Sequence, residues 1–407
     1  MRYISAIFSA FKREDEHMKV AVIVNELTVR GGTHKQVLRL CQYLEKKKIE
    51  FVLCTKYYDP YNTYPEFAKY NPLYLYISDL PQQKSSKNIF DKVKRQIEKY
   101  KEDKKLYALL PKDVDIINIH DNWLERINKL AKKNHKRVVW QINDINGIFG
   151  VGVSEIECDS LQNRIKKFLY LRNIEKTDVI TVNVTKNAER VKKCFNKSAL
   201  VLHCGVDVNE SLVKHSFTGH NEFRILSMGV FFPYRNYETL INVVKALKEQ
   251  GNNVRLDIIG KTDYALDYYK EIQHQVSKNH LDNYIKIWGQ VDDNIYSELF
   301  NKADIFAFIN IEQSWGLAVF EAMSAGIPTI VSNSVGATEL LHNDEDAIIL
   351  NPKSVDEICR AIKRLMTDEK YYNRISDEAA RVVKEFSWDK LYSSKMLDIF
   401  KKLSEEK

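Results

Sequence analysis

Long apolar runs are missing from this sequence, and no stretch approaches the roughly 18–20 uninterrupted apolar residues that a membrane-spanning helix needs. An integral membrane protein built on such helices is therefore excluded. Glycine and proline are scarce, at 14 and 8 of 407 residues, which excludes collagen-like and linker-dominated chains. No segment of about 20–50 residues recurs, so a solenoid or a propeller is not expected. The hydrophobic fraction of 44% and the length instead suit two globular domains of about 150–200 residues each.

Cysteine is also sparse, with six residues scattered along the chain and no C-x-x-C pair among them. Because the N-terminus carries no signal-peptide pattern, we expect reduced thiols in the cytosol and no zinc. No D-x-D pair follows an apolar strand and no H-E-x-x-H occurs, so we expect no bound metal and no cofactor. The cysteines are Cys41, Cys54, Cys158, Cys194, Cys204 and Cys359.

The net charge of +7 hides an asymmetry between the two halves of the chain. Residues 1–207 carry 38 basic and 25 acidic side chains, a net charge of +13, whereas the remaining 200 residues carry 24 and 30, a net charge of −6. Opposite signs suggest two domains with different partners. A basic half suits phosphate, nucleic acid or an anionic membrane, although a solvated lysine surface has the same composition. No nucleic-acid-binding motif is present, and we expect no nucleic-acid partner.

Short apolar runs alternate with helical patterns along most of the chain. Runs of four to six apolar residues without clean alternation are typical of strands buried on both faces, and helices between them imply parallel sheets. The sequence therefore predicts an α/β protein with two doubly wound domains. The predicted strands are 20–24, 51–54, 115–119, 138–142, 179–184 and 199–202 in the first half, and 224–228, 254–259, 284–288, 304–309, 328–332 and 347–350 in the second.

These patterns place the first domain at residues 18–205 and the second at residues 206–385. Residues 1–17 form an N-terminal extension whose apolar residues Ile4, Ile7, Phe8 and Phe11 share one helical face. That face could grip a membrane, or it could lie against its own domain. The lysine-rich stretch 84–105 is predicted to be an exposed helix of the first domain.

The predicted site lies at the rim of the second domain. In open parallel sheets, ligands bind beyond the carboxyl ends of the strands, and Gly229, Gly260, Gly289, Gly316 and Gly336 each follow a predicted strand there. A helix predicted to begin near Gly316 offers an N-terminus suited to a diphosphate. These features indicate one ligand site rather than five unrelated turns.

Two charged residues accompany that rim. Glu321, a turn and a half into the helix, can accept two hydrogen bonds from a ribose diol. Arg235 adds a permanent charge and forked donors for phosphate. Both could instead be solvent-facing surface residues. In the first domain, Gly31 and Gly32 follow the first strand as a phosphate loop would, without the full G-x-G-x-x-G.

Several of these segments resemble the retaining, nucleotide-sugar-dependent glycosyltransferases of family 4, which have the GT-B fold of two Rossmann-like domains with a cleft between them. The resemblance covers the chain from Met18 onwards. It rests on V-N-E-L-x-x-R-G-G-T (24–33), G-V-D (205–207), L-S-x-G…R-N-Y-E-T-L-I (226–241) and, above all, S-W-G-L-A-V-F-E-A-M-S-A-G-I-P (314–328). The run F-S-W-D-K-L (386–391) is similar to the start of the family's closing segment, which implies that residues 386–407 cross back to the first domain.

The resemblance also implies roles for individual residues in donor binding. The resemblance implies that the first domain faces the acceptor and that the second domain binds the donor. Three positions depart from the family pattern: Gln313 stands for a Glu, Val230 for an Arg that Lys261 could replace, and Asn143 for a His. The implied catalytic residues are Arg235, Gln313, Glu321 and Asn143, and the implied donor-binding residues are Gly31, Gly32, Gly229, Arg235, Lys261, Gly289, Gln290, Trp315, Gly316, Leu317 and Glu321.

The activity that the resemblance implies is metal-independent transfer of a sugar from a nucleoside diphosphate to an acceptor hydroxyl with retained configuration. We expect a role in bacterial cell-surface polysaccharide or glycolipid synthesis, with a sugar or a lipid-linked sugar as acceptor. The expected location is the cytoplasm, at the inner leaflet if the basic half binds an anionic membrane. The alternative is a non-catalytic relative that binds sugar nucleotides or docks a partner.

Overall fold

The computed structural model describes two parallel sheets and the helices that cover them. The described residues are 18–77, 89–120, 124, 126–143, 168, 171–208, 217, 219 and 222–406. The extension 1–17 and residues 84–88 of the lysine-rich stretch lie outside them, as does Cys158; the other five cysteines are buried free thiols. Among the described helices, none combines the length and the apolar character that crossing a bilayer requires.

The first sheet has seven strands in the order β3-β2-β1-β4-β5-β6-β7. Every paired neighbour in it is parallel. Its strands are β1 (Lys19–Leu27), β2 (Glu50–Tyr58), β3 (Leu73–Ile77), β4 (Ile116–His120), β5 (Arg137–Ile142), β6 (Val179–Val182) and β7 (Leu200–Val201). The helices of this half are α1 (Gly32–Lys46), α2 (Ile89–Ala108), α3 (Ile127–Lys133) and α4 (Thr185–Phe195), with a 3₁₀ turn at Pro65–Tyr70.

The second sheet has six parallel strands in the order β10-β9-β8-β11-β12-β13. Its strands are β8 (Phe223–Met228), β9 (Val254–Ile259), β10 (Ile285–Gly289), β11 (Ile305–Phe308), β12 (Thr329–Ser332) and β13 (Ile348–Leu350). Its helices are α5 (Tyr237–Glu249), α6 (Leu266–Lys278), α7 (Asp293–Lys302), α8 (Leu317–Ser324), α9 (Val355–Thr367), α10 (Glu369–Val382) and α11 (Ser394–Glu405), with 3₁₀ turns at Pro233–Arg235, Gly336–Glu339 and Val383–Glu385 and a π-helical turn at Asp389–Ser393.

The buried character of the strands explains why they read as continuous apolar runs. In β1, Val20 and Val22 enter one hydrophobic cluster, whereas Ala21 and Ile23 enter another on the opposite face of the sheet. Helices therefore cover both faces, as the unbroken runs predict. The prediction of two doubly wound α/β domains is confirmed, and each of the twelve predicted strands is present.

One strand, β3, was not predicted. Its sequence LYLYI alternates, and Tyr74, Tyr76 and Ile77 are exposed, at 38%, 38% and 65%. β3 lies at the edge of the first sheet, where its side chains are half-buried or exposed, so it lacks the pattern of a strand buried on both faces.

The chain passes between the two domains twice, near Val206 and near Phe386, and these two connecting segments run side by side. The Val206 amide donates to the Phe386 carbonyl at 2.8 Å, and Val206 pairs with Ser387. A Cβ on Gly205 would lie 2.2 Å from the Trp388 backbone, which only glycine permits. Beyond this crossing, α11 lies against the first domain, where its apolar residues join those of β1 and α1 in one cluster.

Candidate active site

A cavity of about 600 Å³ lies where the carboxyl ends of the two sheets face each other. The loop after β1 and the ends of β5 and β6 line it from one side, and the loops after β8, β9, β10 and β11 from the other. Of the five glycines predicted at the rim, Gly229, Gly260 and Gly316 line it, whereas Gly289 and Gly336 do not. Of the thirteen site residues that the resemblance implies, all but Gly289 line it. The lining residues among them are Gly31, Gly32, Asn143, Gly229, Arg235, Lys261, Gln290, Gln313, Trp315, Gly316, Leu317 and Glu321.

The N-terminus of α8 faces this cavity. Gly316 precedes it with φ 102°, and a Cβ there would lie 3.0 Å from Val335, so the turn into the helix requires glycine. Across the cleft, a Cβ on Gly32 would lie 3.5 Å from the Leu317 side chain. The glycine loop of the first domain and the first turn of α8 therefore come into near contact, as expected for two loops that share one anionic ligand.

Two cations line the same part of the cavity. A Cβ on Gly229 would lie 2.5 Å from the Arg235 guanidinium carbon, so the guanidinium can lie over the backbone only because residue 229 is glycine. Arg235 Nε donates to the Val230 carbonyl at 3.2 Å. Lys261 comes from the neighbouring loop after β9. Arg235 and Lys261 thus line the cavity together with the uncharged Val230.

Glu321 lines the cavity and is held by a residue that sequence reasoning missed. Tyr296 of α7 donates its hydroxyl to Glu321 Oε2 at 3.1 Å. Burial raises the pKa of Glu321, although the Tyr296 hydrogen bond and the charge of Lys35 oppose that rise. No motif marks Tyr296, because its position depends on how α7 lies against α8.

The loop after β11 separates two neighbouring polar residues. Gln313 lines the cavity, and its Oε1 lies 3.5 Å from Asn310 Nδ2. Glu312 instead turns to the first domain, where it lies 2.5 Å from Arg190 and 3.7 Å from Lys186 of α4. Gln313 therefore faces the cavity, and Glu312 ties the two domains together.

Asn143 takes part in a buried network of neutral groups. Its Nδ2 donates to Thr33 Oγ1 at 3.1 Å and to Gln36 Oε1 at 2.8 Å, and its Oδ1 accepts from Gln141 Nε2 at 2.9 Å. Both amide protons are thus used within the protein. Thr33 and Gln36 also line the cavity and were not predicted. Asn143 therefore holds the Thr33 and Gln36 side chains in the cavity wall.

A further contact between the domains lies beside Trp315. The Trp315 ring stacks on His203 at 5.2 Å. Glu339 accepts from the amide of Thr185, at the N-terminus of α4, at 2.8 and 3.0 Å, and lies 3.0 Å from His203 Nε2. Burial alone would raise the pKa of Glu339, but these hydrogen bonds lower it. The turn Gly336–Glu339 is thus joined to the first domain by a carboxylate at a helix N-terminus.

Two doubly wound domains with a ligand cavity between their carboxyl ends define the GT-B fold. Solved structures that share it include HepE from Anabaena in complex with UDP and glucose, at a TM-score of 0.72 and 15% identity over 94% of this chain and 99% of that one. Sucrose-phosphate synthase from Thermosynechococcus elongatus has a TM-score of 0.73 at 15% identity, over 96% and 100% of the two chains.

The sequence comparisons indicate a protein family as well as a fold. Residues 208–382 match the family described as glycosyl transferases group 1. An uncharacterized glycosyltransferase of Methanocaldococcus jannaschii is 25% identical over 308 residues, 71% of this chain and 76% of that protein. The serotype-specific mannosyltransferase WbdA of Escherichia coli is 27% identical over 53% of this chain, which matches only 25% of the longer WbdA. These findings support a group 1 glycosyltransferase.

Proposed function

We propose that this protein transfers a hexosyl group from a nucleoside-diphosphate sugar to an acceptor hydroxyl, with retained configuration and without a metal, as the resemblance to family 4 implies. The observation that carries the proposal is the joint placement of Arg235, Lys261, Glu321 and the N-terminus of α8 around one cavity. Cations and a helix N-terminus suit a diphosphate, and a carboxylate suits a ribose. The mannosyltransferase relatives support a hexose donor.

The geometry suits departure of a diphosphate without a metal. The bond from the sugar C1 to the β-phosphate oxygen breaks, and a new bond forms from C1 to the acceptor oxygen on the same face. Negative charge develops on the diphosphate, where Arg235, Lys261 and the first turn of α8 stabilise it. The departing phosphate oxygen takes the acceptor proton, so no side chain has to act as a base.

The neutral network around Asn143 fits this mechanism. It places amides and a hydroxyl beside Arg30 on the first-domain side of the cavity, and Gln313 adds another amide opposite. Neutral donors and acceptors suit the hydroxyls of an uncharged sugar. We therefore assign Gln313 to a sugar hydroxyl and Asn143 to the support of Thr33 and Gln36.

The acceptor side has features that suit an anionic membrane carrying a lipid-linked acceptor in bacterial polysaccharide or glycolipid synthesis. Tyrosine is favoured at membrane interfaces, and Tyr74 and Tyr76 are exposed on β3, which contacts α2, the helix that carries Tyr100 at 46% exposure. Lys94 and Lys99, in the described part of the lysine-rich stretch, belong to the same helix. The basic residues of that stretch are Lys84 and Lys87, outside the described residues, and Lys92, Lys94, Arg95 and Lys99 along α2.

A donor screen followed by a turnover assay tests the proposal. Because a ligand that binds only the folded state raises stability by mass action, about 2.7 kcal/mol at a hundredfold excess over Kd, UDP-glucose, GDP-mannose and related donors should raise the Tm. The donor that does so should then be hydrolysed slowly and transferred to a saccharide acceptor in the presence of chelator. Stabilisation without hydrolysis or transfer would instead support a sugar-nucleotide-binding subunit, and no stabilisation by any donor would refute the proposal.

A further inference from the structure

Three aromatic side chains lie against one another beside the cavity. Phe232 and Tyr234 come from the loop after β8, and Tyr264 comes from the loop after β9. The Phe232 ring lies 5.6 Å from Tyr234 with 15° between the planes, and 6.2 Å from Tyr264 with 24°. Phe232 is thus the middle ring of a stack that joins two loops. We call Phe232, Tyr234 and Tyr264 the aromatic column.

A cation lies at each end of this column. The Arg235 guanidinium carbon is 5.2 Å from the centre of the Tyr234 ring, and Lys261 Nζ is 4.8 Å from the centre of the Tyr264 ring. Both distances are within the range of cation–π attraction. The two cations line the cavity, whereas the three rings do not. The rings therefore act on the cations and not directly on a ligand in the cavity.

The core does not account for the position of the column. Phe231 is fully buried and contacts Tyr237 and Tyr269. It is therefore the ring that the loop after β8 contributes to the hydrophobic core. Tyr264 is 55% exposed. An exposed ring contributes little buried area to folding, and its defined contacts are with Phe232 and with Lys261. The three rings are therefore placed to hold the two cations, Arg235 and Lys261, rather than to fill the core.

Lys261 needs such support more than Arg235 does. Arg235 is also fixed by its hydrogen bond to Val230 and by Phe308, whose ring centre lies 5.6 Å away. Lys261 lies 3.6 Å from the exposed carboxylate of Asp263 on its own loop. A lysine has a long flexible stem, so without the Tyr264 ring it is free to follow Asp263 away from the cavity.

We infer that the aromatic column positions Arg235 and Lys261 for the diphosphate of the donor, which makes Phe232, Tyr234 and Tyr264 positioning residues. This inference rests on the proposed function, because it takes a nucleoside diphosphate as the ligand. It explains how the loop after β9 supplies the second cation where residue 230 is valine. Loss of the Tyr264 ring should weaken diphosphate binding about two- to fivefold, the size of one exposed cation–π contact.

The test compares a nucleoside diphosphate with its nucleoside, UDP with uridine and GDP with guanosine, on the full chain. Tyr264→Ala should weaken binding of the diphosphate and leave binding of the nucleoside unchanged, whereas Tyr264→Phe, which keeps the ring, should bind both as the wild type does. In a Lys261→Met background, Tyr264→Ala should have no further effect on the diphosphate. Calorimetry and ligand-observed NMR give the affinities, and thermal unfolding confirms that each variant is folded.

Three results would overturn the inference while leaving the proposed function intact. The first is an equal loss for nucleoside and diphosphate, which would mean a general change of the loop. The second is an undiminished effect of Tyr264→Ala in the Lys261→Met background. The third is unchanged diphosphate affinity in Tyr264→Ala. Failure of the wild type to bind either diphosphate would overturn the proposed function, and this inference with it.

Discussion

Replacing Glu321 with alanine removes the carboxylate that we assign to the ribose of the donor. A hydrogen bond to a charged group contributes about 1.5–3 kcal/mol, so nucleotide affinity should fall about 10- to 100-fold. The same change leaves the Tyr296 hydroxyl without its acceptor at 3.1 Å. Glu321→Gln is the matched variant, since it keeps an acceptor for Tyr296 and removes the charge. Its loss of affinity should be smaller than that of Glu321→Ala.

The pH dependence of the same binding step follows from the pKa of Glu321. Burial raises this pKa in the unliganded protein, and only the ionised carboxylate accepts hydrogen bonds at both oxygens. Nucleotide affinity should therefore be full above the raised pKa and fall as the pH drops through it, at a higher pH than for an ordinary glutamate. The Glu321→Gln variant should show no such fall.

The raised pKa also predicts the direction of a stability change. Because the folded state binds the Glu321 proton more tightly than the unfolded state, the ionised residue costs folding free energy at neutral pH, and this cost disappears as the pH falls through the raised pKa. Glu321→Gln should therefore raise the Tm of the unliganded protein at pH 7 while it weakens nucleotide binding. Calorimetry and thermal unfolding measure the two effects separately. Unchanged nucleotide affinity in a folded Glu321→Ala variant would refute the ribose assignment.

Three further predictions concern other parts of the molecule. Gln313→Glu restores the family's usual carboxylate and should preserve or raise turnover in the transfer assay; lost activity in a folded variant would mean that the sugar requires the amide. Glu312→Gln removes the charge that faces Arg190 and should open the cleft, measured as a larger radius of gyration by small-angle scattering, with an unchanged radius as the contrary result. Binding to anionic vesicles should weaken steeply with salt and should be reduced for a chain starting at Met18, whereas equal sedimentation with neutral vesicles would contradict the membrane assignment.

Much of the fold could be predicted because both faces of each sheet are buried. The run 20–24 reads as a strand since its alternate residues enter two separate clusters, which leaves no polar position in it. Edge strand β3 was not predicted, because it pairs with a neighbour on one side only and Tyr74, Tyr76 and Ile77 stay exposed. The pattern of apolar residues in a strand therefore indicates how many faces of the sheet are covered there. It does not predict a strand whose side chains are partly exposed.

The candidate site was predictable where backbone geometry restricts the residue type, as at Gly229 and Gly316. It was not predictable where the role depends on a partner distant in the sequence. The hydrogen bonds of Asn143 could not be predicted, because its amide group donates to residues 107 and 110 positions away. Tyr296 and the aromatic column could not be predicted from the sequence for the same reason, because each depends on contacts between separate loops or helices.

The crossing of the two connecting segments also affects when the hydrophobic core of each domain can be completed during synthesis. The last helix, α11, covers the first domain through Met396, Leu397 and Phe400, which are buried in the cluster that contains β1. Residues nearly four hundred positions apart in the sequence thus share one core. During synthesis the first sheet is made early, yet α11, which covers part of it, follows the second domain, so this part of the core stays exposed until α11 has been translated. The second domain has all six strands of its sheet by Leu350, but its core also needs α9 and α10, which supply Ile358, Ile362 and Ile375.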